Sequence, residues 1–127
     1  PYLRDADLRQ SISGQTYGHR VEAIRMGIRQ HYERIVDHCC AEYRDVPIIG
    51  MGHLYVSGAT VSPESEREIH SVGGQAAFSS ENFPGGFDYV ALGHIHVPQV
   101  IGTSDHVRYS GSPLPLSFSE RDHAHQM

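Results

Sequence analysis

Apolar residues recur every three or four positions in the first half of the chain, starting near residue 21. The positions on this stripe are Val21, Ile24, Ile28, Tyr32, Ile35, Cys39 and Tyr43, with most charged residues of the segment between them. Such spacing is typical of one face of an amphipathic helix. We expect the helix to end before Pro47, because proline cannot continue a helix. Residues 1–16 are then a polar lead-in, and Cys39 and Cys40 are interpreted as small packing side chains.

Two apolar runs follow the helix, and glycine and histidine stand at the end of each. Residues 46–53 predict a buried strand, and residues 87–92 predict a second strong strand. Between them we expect a polar loop at 57–67, a short strand at 69–72 and a turn at 81–86. A helix followed by buried strands predicts an α/β layer structure.

Two shorter strands are predicted in the last third of the chain. They lie at 99–101 and 106–109, and the Gly102-Thr103-Ser104-Asp105 segment between them is typical of a hairpin turn. The proline-containing segment 110–115 that follows is interpreted as a rigid loop.

Composition limits the classes of protein that fit this pattern. The 127 residues, of which 39% are hydrophobic, suit one domain or part of one. No apolar run approaches the roughly 20 residues that a membrane helix needs, so no membrane association is expected. The amino terminus lacks the apolar core of a signal peptide, and the two cysteines are adjacent, so we expect a cytoplasmic protein. A net charge of −5 argues mildly against a DNA-coating module.

Histidine is unusually frequent, and three histidines stand where strands end. Gly93-His94-Ile95-His96 follows the strand at 87–92, and Gly52-His53 ends the strand at 46–53. Ligands of open α/β sheets bind outside the carboxyl ends of strands, and neutral imidazole is a good ligand for divalent transition metals. These residues are therefore candidate metal ligands; the alternative is that they are surface or capping histidines.

Three segments together resemble a known family of enzymes. IIGMGHLYVSGA, FDYVALGHIHVPQVI and VRYSGSPLPLSFSE are similar to segments of the calcineurin-like metallophosphoesterase superfamily, and within it to the branch of bacterial SbcD-type DNA nucleases. The Gly-His-x-His motif is shared by the whole superfamily. The closing Tyr-Ser-Gly-Ser-Pro segment is more specific to the nuclease branch.

The resemblance implies part of a four-layer α/β/β/α sandwich with a two-metal site, usually of manganese. His53 and His94 would bind one ion and His96 the other. The implied parent protein is a double-strand exonuclease and single-strand or hairpin endonuclease that acts in DNA repair, forms a homodimer and has an SMC-like ATPase partner of the SbcC type.

The sequence lacks several motifs of that superfamily. The Asp-x-His, Gly-Asp and Gly-Asn-His-Asp/Glu motifs, which supply the remaining ligands, are absent, and Val97 stands where a basic residue often follows Gly-His-x-His. Residues 1–127 are therefore interpreted as a single partial domain, the carboxyl-terminal half of a catalytic domain, and as inactive on their own. The alternatives are another calcineurin-like phosphodiesterase, acting on a small nucleotide or a phosphoprotein, and a non-catalytic structural or interaction fragment.

The remaining candidates carry weaker signals. Arg108, Tyr109, Ser110 and Ser112 border the nuclease-like loop, and bracing of that loop is favoured over a place at the rim of a site. For Glu120 the alternatives are bracing and support of a metal ligand from behind, and the sequence does not choose between them. The other histidines are interpreted as solvated or packed side chains. This group comprises His19, His31, His38, His70, His106, His123 and His125.

Overall fold

The computed structural model describes residues 5–8, 13–61, 78–103 and 105–125 of the chain. Its elements, in chain order, are α1 (Asp5–Leu8), α2 (Tyr17–Glu42), β1 (Ile49–His53), a 3-10 turn (Ser80–Asn82), β2 (Tyr89–Gly93), β3 (Gln99–Val100), β4 (Val107–Tyr109) and a second 3-10 turn (Phe118–Glu120). The strand expected at 69–72 lies outside the described residues.

The long helix α2 begins four residues earlier than the apolar stripe predicts. Thr16 caps it, because the Thr16 side chain accepts a hydrogen bond from the His19 backbone N–H at 3.3 Å. The helix ends at Glu42, before Pro47 as expected. The short helix α1 lies within residues 1–16, the segment interpreted as a polar lead-in.

The buried face of α2 differs from the predicted stripe. Ile24, Gly27, Tyr32 and Val36 are its buried residues, whereas the stripe members Ile35 and Tyr43 are exposed. The physical reason is that a side chain advances about 100° per residue, so a stripe read from sequence drifts around a long helix. Cys39 is partly buried and Cys40 is exposed, and both are free thiols.

The sheet is mixed and has the strand order β1-β2-β4-β3 within the described part of the chain. The β1–β2 and β2–β4 pairs are parallel, and β3 and β4 form the predicted antiparallel hairpin. The α/β prediction is confirmed at this level. Because β1 and β2 run parallel, their carboxyl ends meet at the same edge of the sheet.

Strand β1 is less buried than the sequence predicted. It begins at Ile49 and forms one margin of the sheet, where Ile49 is 63% and Met51 77% exposed. Alternate side chains of a strand point to opposite faces, and only the other face of β1 is covered. The expectation of a fully buried strand was wrong for this reason.

The core lies between α2 and the covered face of the sheet. Its buried members are Tyr32, Val36, Val56, Phe87, Val90, Leu92, Ile95, Ile101, Val107 and Tyr109. Tyr32 connects helix and sheet directly, because its hydroxyl donates a hydrogen bond to the Met51 carbonyl at 3.0 Å. Burial raises the pKa of Tyr32 above its usual value. Among the described residues, the helices are too short or too polar to span a bilayer.

Candidate metal centre

A histidine stands at the end of β1 and another directly after β2, and their side chains lie in contact. His53 is the last residue of β1, and it pairs with Gly93, the last residue of β2. His94 follows directly, and its Nδ1 lies 3.2 Å from Nε2 of His53. The rings meet edge to face, with their centroids 5.0 Å apart. The sequence predicts that three histidines, His53, His94 and His96, converge at neighbouring strand ends; this contact joins His53 and His94.

The backbone at His94 is unusual. Its φ of 102° lies in the region that residues other than glycine rarely adopt. Holding a residue there costs about 1–3 kcal/mol, and such strain persists mainly at functional sites. The residue before this turn is Gly93. A Cβ at residue 93 would lie 3.2 Å from Nδ1 of His53, so glycine leaves room for the His53 ring.

His96 belongs to a second pair. Its Nδ1 lies 2.7 Å from Oε1 of Glu120, a carboxylate that is fully buried. Within residues 5–8, 13–61, 78–103 and 105–125, no group of three or more His, Cys, Asp or Glu side chains could hold a metal ion. The described site therefore consists of two pairs, His53 with His94 and His96 with Glu120.

The loop after β4 braces the site. Ser112 is buried, and its backbone N–H donates to the His96 carbonyl at 2.9 Å, while its hydroxyl donates to the Leu114 carbonyl. Arg108 and Ser110 are exposed. The preference for a bracing loop agrees with these contacts of Ser112.

Tyr109 is a second brace, and it acts on the segment that follows His53. Its hydroxyl donates to the Leu54 carbonyl at 2.6 Å and accepts from the Val56 N–H at 2.9 Å. The ring is buried in the core. Tyr109 thus ties the backbone beyond β1 to β4, across β2.

Sequence reasoning missed the role of His125. Its Nδ1 lies 2.9 Å from the Ser112 carbonyl oxygen, and its Nε2 lies 3.1 Å from the Glu120 carbonyl oxygen. His125 therefore lies between two loop segments; a neutral imidazole donates to one of these carbonyls, and only the protonated ring donates to both. Its ring centroid is 6.4 Å from that of His123. Contacts to backbone carbonyls leave no signature in the sequence, so spacing could not have revealed them.

Four further histidines lie on α2 or directly before β4. His19 and His38 are exposed on α2, His106 is exposed before β4, and the ring of His31 packs against Tyr32 with centroids 6.0 Å apart. This agrees with their interpretation as solvated or packed side chains. His70 lies outside the described residues.

Comparison with known proteins finds relatives that share one name. The D subunit of the SbcCD nuclease of Escherichia coli strain K12 is 41% identical over 122 residues, which is 94% of this chain and 30% of the relative. The subunit of the same name from Rhodobacter capsulatus is 38% identical over 125 residues, or 98% of this chain, and that from Bacillus subtilis is 41% identical over 103 residues. No family model matches the chain.

These relatives confirm the resemblance stated from sequence. The chain spans about 30% of the length of the relatives from Escherichia coli and Rhodobacter capsulatus. All three relatives are named as nuclease subunits, and they do not favour the other two interpretations, a phosphodiesterase of small substrates and a non-catalytic fragment.

Proposed function

We propose that this chain, which belongs with the D subunits of SbcCD nucleases over the region it covers, supplies part of the metal site of a DNA phosphodiesterase. One observation carries the proposal: His53 and His94 place two imidazole nitrogens 3.2 Å apart at the joined carboxyl ends of β1 and β2. The nuclease names of the relatives supply the substrate class.

The distance between the two nitrogens fits a shared ion. Two nitrogens at about 2.0–2.2 Å from one metal are about 2.8–3.6 Å apart when the angle between them is octahedral or tetrahedral. The 3.2 Å between His53 Nε2 and His94 Nδ1 lies inside this interval. Both donors are imidazoles, which suit zinc, nickel, iron and manganese in their neutral form.

We assign His96 to a second ion, as the family resemblance implies. Its Nδ1 is engaged by Glu120, so Nε2 is the nitrogen that would bind. A carboxylate behind a histidine is the usual partner of a metal-bound imidazole, because it fixes the orientation of the ring. His53, His94 and His96 are therefore chemically suited to be metal ligands.

Divalent ions, when bound in pairs, neutralise the charge of a phosphodiester and activate the attacking water. The residues of this chain hold the candidate metal ligands in place. The β1–β2 pairing fixes the spacing of His53 and His94, and the strained turn at His94 points its ring toward His53. Tyr109 restrains the segment beyond His53, and Ser112 restrains the loop that carries His96.

The full activity requires more residues than this chain contains. The three superfamily motifs with acidic and asparagine ligands are absent from the sequence. Two cations about 4 Å apart repel each other strongly unless a carboxylate bridges them. We therefore assign the four-layer sandwich, the manganese pair and the cleavage of DNA ends and hairpins to a longer protein that includes this region.

Partners follow from the same relatives. Their name designates a D subunit of a two-part complex, which supports an SMC-like ATPase partner of the SbcC type. A homodimer of the nuclease subunit remains part of the proposal through the family resemblance. A cytoplasmic location agrees with the two free cysteines, which a reducing compartment maintains.

The test of this function uses the full-length protein and a linear double-stranded DNA in manganese. His94→Ala and His96→Ala should abolish metal-dependent cleavage and leave thermal stability nearly unchanged, because a site at strand ends adds little to the core. The control is His38→Ala, an exposed position on α2, which should cleave normally. Near-normal cleavage by either site variant would refute the role given to that histidine.

A second test concerns the 127 residues alone. We expect the purified chain to show no cleavage of DNA in manganese, with or without EDTA. Its histidines are expected to bind nickel or copper weakly, because these ions stand high in the affinity order for nitrogen ligands. Manganese-dependent cleavage that disappears in His94→Ala would show that the chain is catalytically complete and that other residues replace the missing motifs.

A further inference from the structure

Glu120 is a charged residue in a fully enclosed position. It ends the second 3-10 turn, and its side chain is 0% exposed. One carboxylate oxygen, Oε1, lies 2.7 Å from Nδ1 of His96, and the other, Oε2, accepts the Leu116 N–H at 2.7 Å. Both oxygens are therefore occupied in defined directions.

The turn that carries Glu120 is itself restrained. The His125 ring lies between the Glu120 and Ser112 carbonyl oxygens, with a ring nitrogen 3.1 Å and 2.9 Å from them, and the Ser112 N–H donates to the His96 carbonyl. His96 and Glu120 thus belong to one cross-linked group of backbone segments. A change at Glu120 is transmitted to the His96 ring by a direct hydrogen bond.

Stability alone does not explain a carboxylate at this position. Burying an ionised group costs several kcal/mol, and an apolar side chain of similar volume is often neutral or better. A buried carboxylate with both oxygens in defined contacts can instead determine which ring nitrogen of its histidine partner carries the proton.

We propose that Glu120 is a positioning residue that holds His96 in the Nδ1–H tautomer, so that the Nε2 lone pair is presented to a divalent metal ion. When Glu120 is ionised its oxygens only accept hydrogen bonds, and Nδ1 of His96 is then the donor. The identity of what Nε2 binds rests on the proposed function. The tautomer itself rests on the His96–Glu120 geometry.

The substitution Glu120→Gln tests this with almost no change of shape. The Leu116 N–H requires an acceptor, so the glutamine carbonyl oxygen should replace Oε2 and turn the amide NH2 toward His96. Nδ1 of His96 must then accept, and the proton moves to Nε2. The variant should therefore invert the tautomer and block the nitrogen that binds metal.

The measurement is nitrogen-15 NMR of the histidine side chains in the full chain, with the His96 signals assigned through His96→Ala. We expect Nδ1 protonated in the wild type and Nε2 protonated in Glu120→Gln. Calorimetric titration with nickel chloride should show a 10- to 100-fold loss of affinity, approaching that of His96→Ala. Glu33→Gln, a partly exposed helix carboxylate paired with Arg29, is the matched control and should change neither result.

The outcomes separate two claims, that Glu120 sets the tautomer of His96 and that His96 binds metal. A wild-type His96 protonated at Nε2 overturns the proposal, and this result needs no variant to fold. An unchanged tautomer and nickel affinity in a folded Glu120→Gln also overturns it. If the tautomer inverts as expected but His96→Ala binds nickel like the wild type, the metal role of His96 is refuted, and the purpose assigned to Glu120 fails with it.

Discussion

The Tyr109 hydroxyl provides a quantitative test of how β4 holds the segment beyond His53. Tyr109→Phe removes one oxygen and leaves the ring in the core. The Val56 N–H and the Leu54 carbonyl then lose their shared partner. Val56 is 0% exposed, so water does not readily replace the lost hydrogen bond.

The expected cost follows from these two groups. A buried donor without a partner costs about 1–3 kcal/mol, and the loss of the second hydrogen bond adds about 0.5–1.5 kcal/mol. The sum is about 1.5–4.5 kcal/mol in the free energy of unfolding. With a urea dependence of about 1.5 kcal/mol per molar, the midpoint of urea unfolding should fall by roughly 1–3 M.

The assay is urea unfolding of the full chain followed by far-ultraviolet circular dichroism. Tyr89→Phe on the neighbouring strand is the control; its residue is 37% exposed, and the change should cost no more than about 0.5 kcal/mol. The slope of the transition should stay constant in both variants. Equal midpoints for Tyr109→Phe and Tyr89→Phe would refute the claim that this hydroxyl anchors the segment.

Two other substitutions test the contact between helix and sheet. A Cβ in Gly52→Ala would collide with the Tyr32 hydroxyl, so this variant should lose more than about 1 kcal/mol of stability. Gly85→Ala is the control, because a Cβ there would meet open space. Equal losses of stability in thermal unfolding of the two variants would contradict the packing of Tyr32 against Gly52. Burial raises the pKa of Tyr32, so its contribution to stability is present below about pH 10, the ordinary tyrosine value, and is lost as pH rises through the higher folded-state pKa. Between pH 9 and 11 the free energy of unfolding should fall less in Tyr32→Phe than in the wild type. An equal fall in both proteins would argue against the burial of this phenol.

The sequence predicted the part of the site that depends on strand ends. A strand signal followed by Gly-His occurs twice, and parallel pairing of β1 and β2 then brings His53 and His94 together. This inference needs only local pattern and the rule that parallel strands end at one edge. The helix was also predicted, although its buried face shifted from Ile35 to Val36.

The His96–Glu120 pair could not be predicted in the same way. Its two residues are 24 positions apart, and the carboxylate reaches the imidazole only because a 3-10 turn folds back under the loop. His125 contacts this turn through backbone carbonyls, which every residue possesses. A pattern of side-chain types carries no information about such contacts. The exposure of Ile49 and Met51 was missed because burial depends on which strand lies at the margin.

The sequence separation within the two pairs has a consequence for the order of folding. His53 and His94 are 41 positions apart, and His96 and Glu120 are 24 apart. Closing the longer loop costs only about 0.5 kcal/mol more entropy, so loop length does not decide which pair forms first. Both pairs depend on long-range contacts, which form late in sheets with parallel strands. A metal ion should therefore bind after the rate-limiting step: it would slow the unfolding of this chain and leave its rate of refolding unchanged.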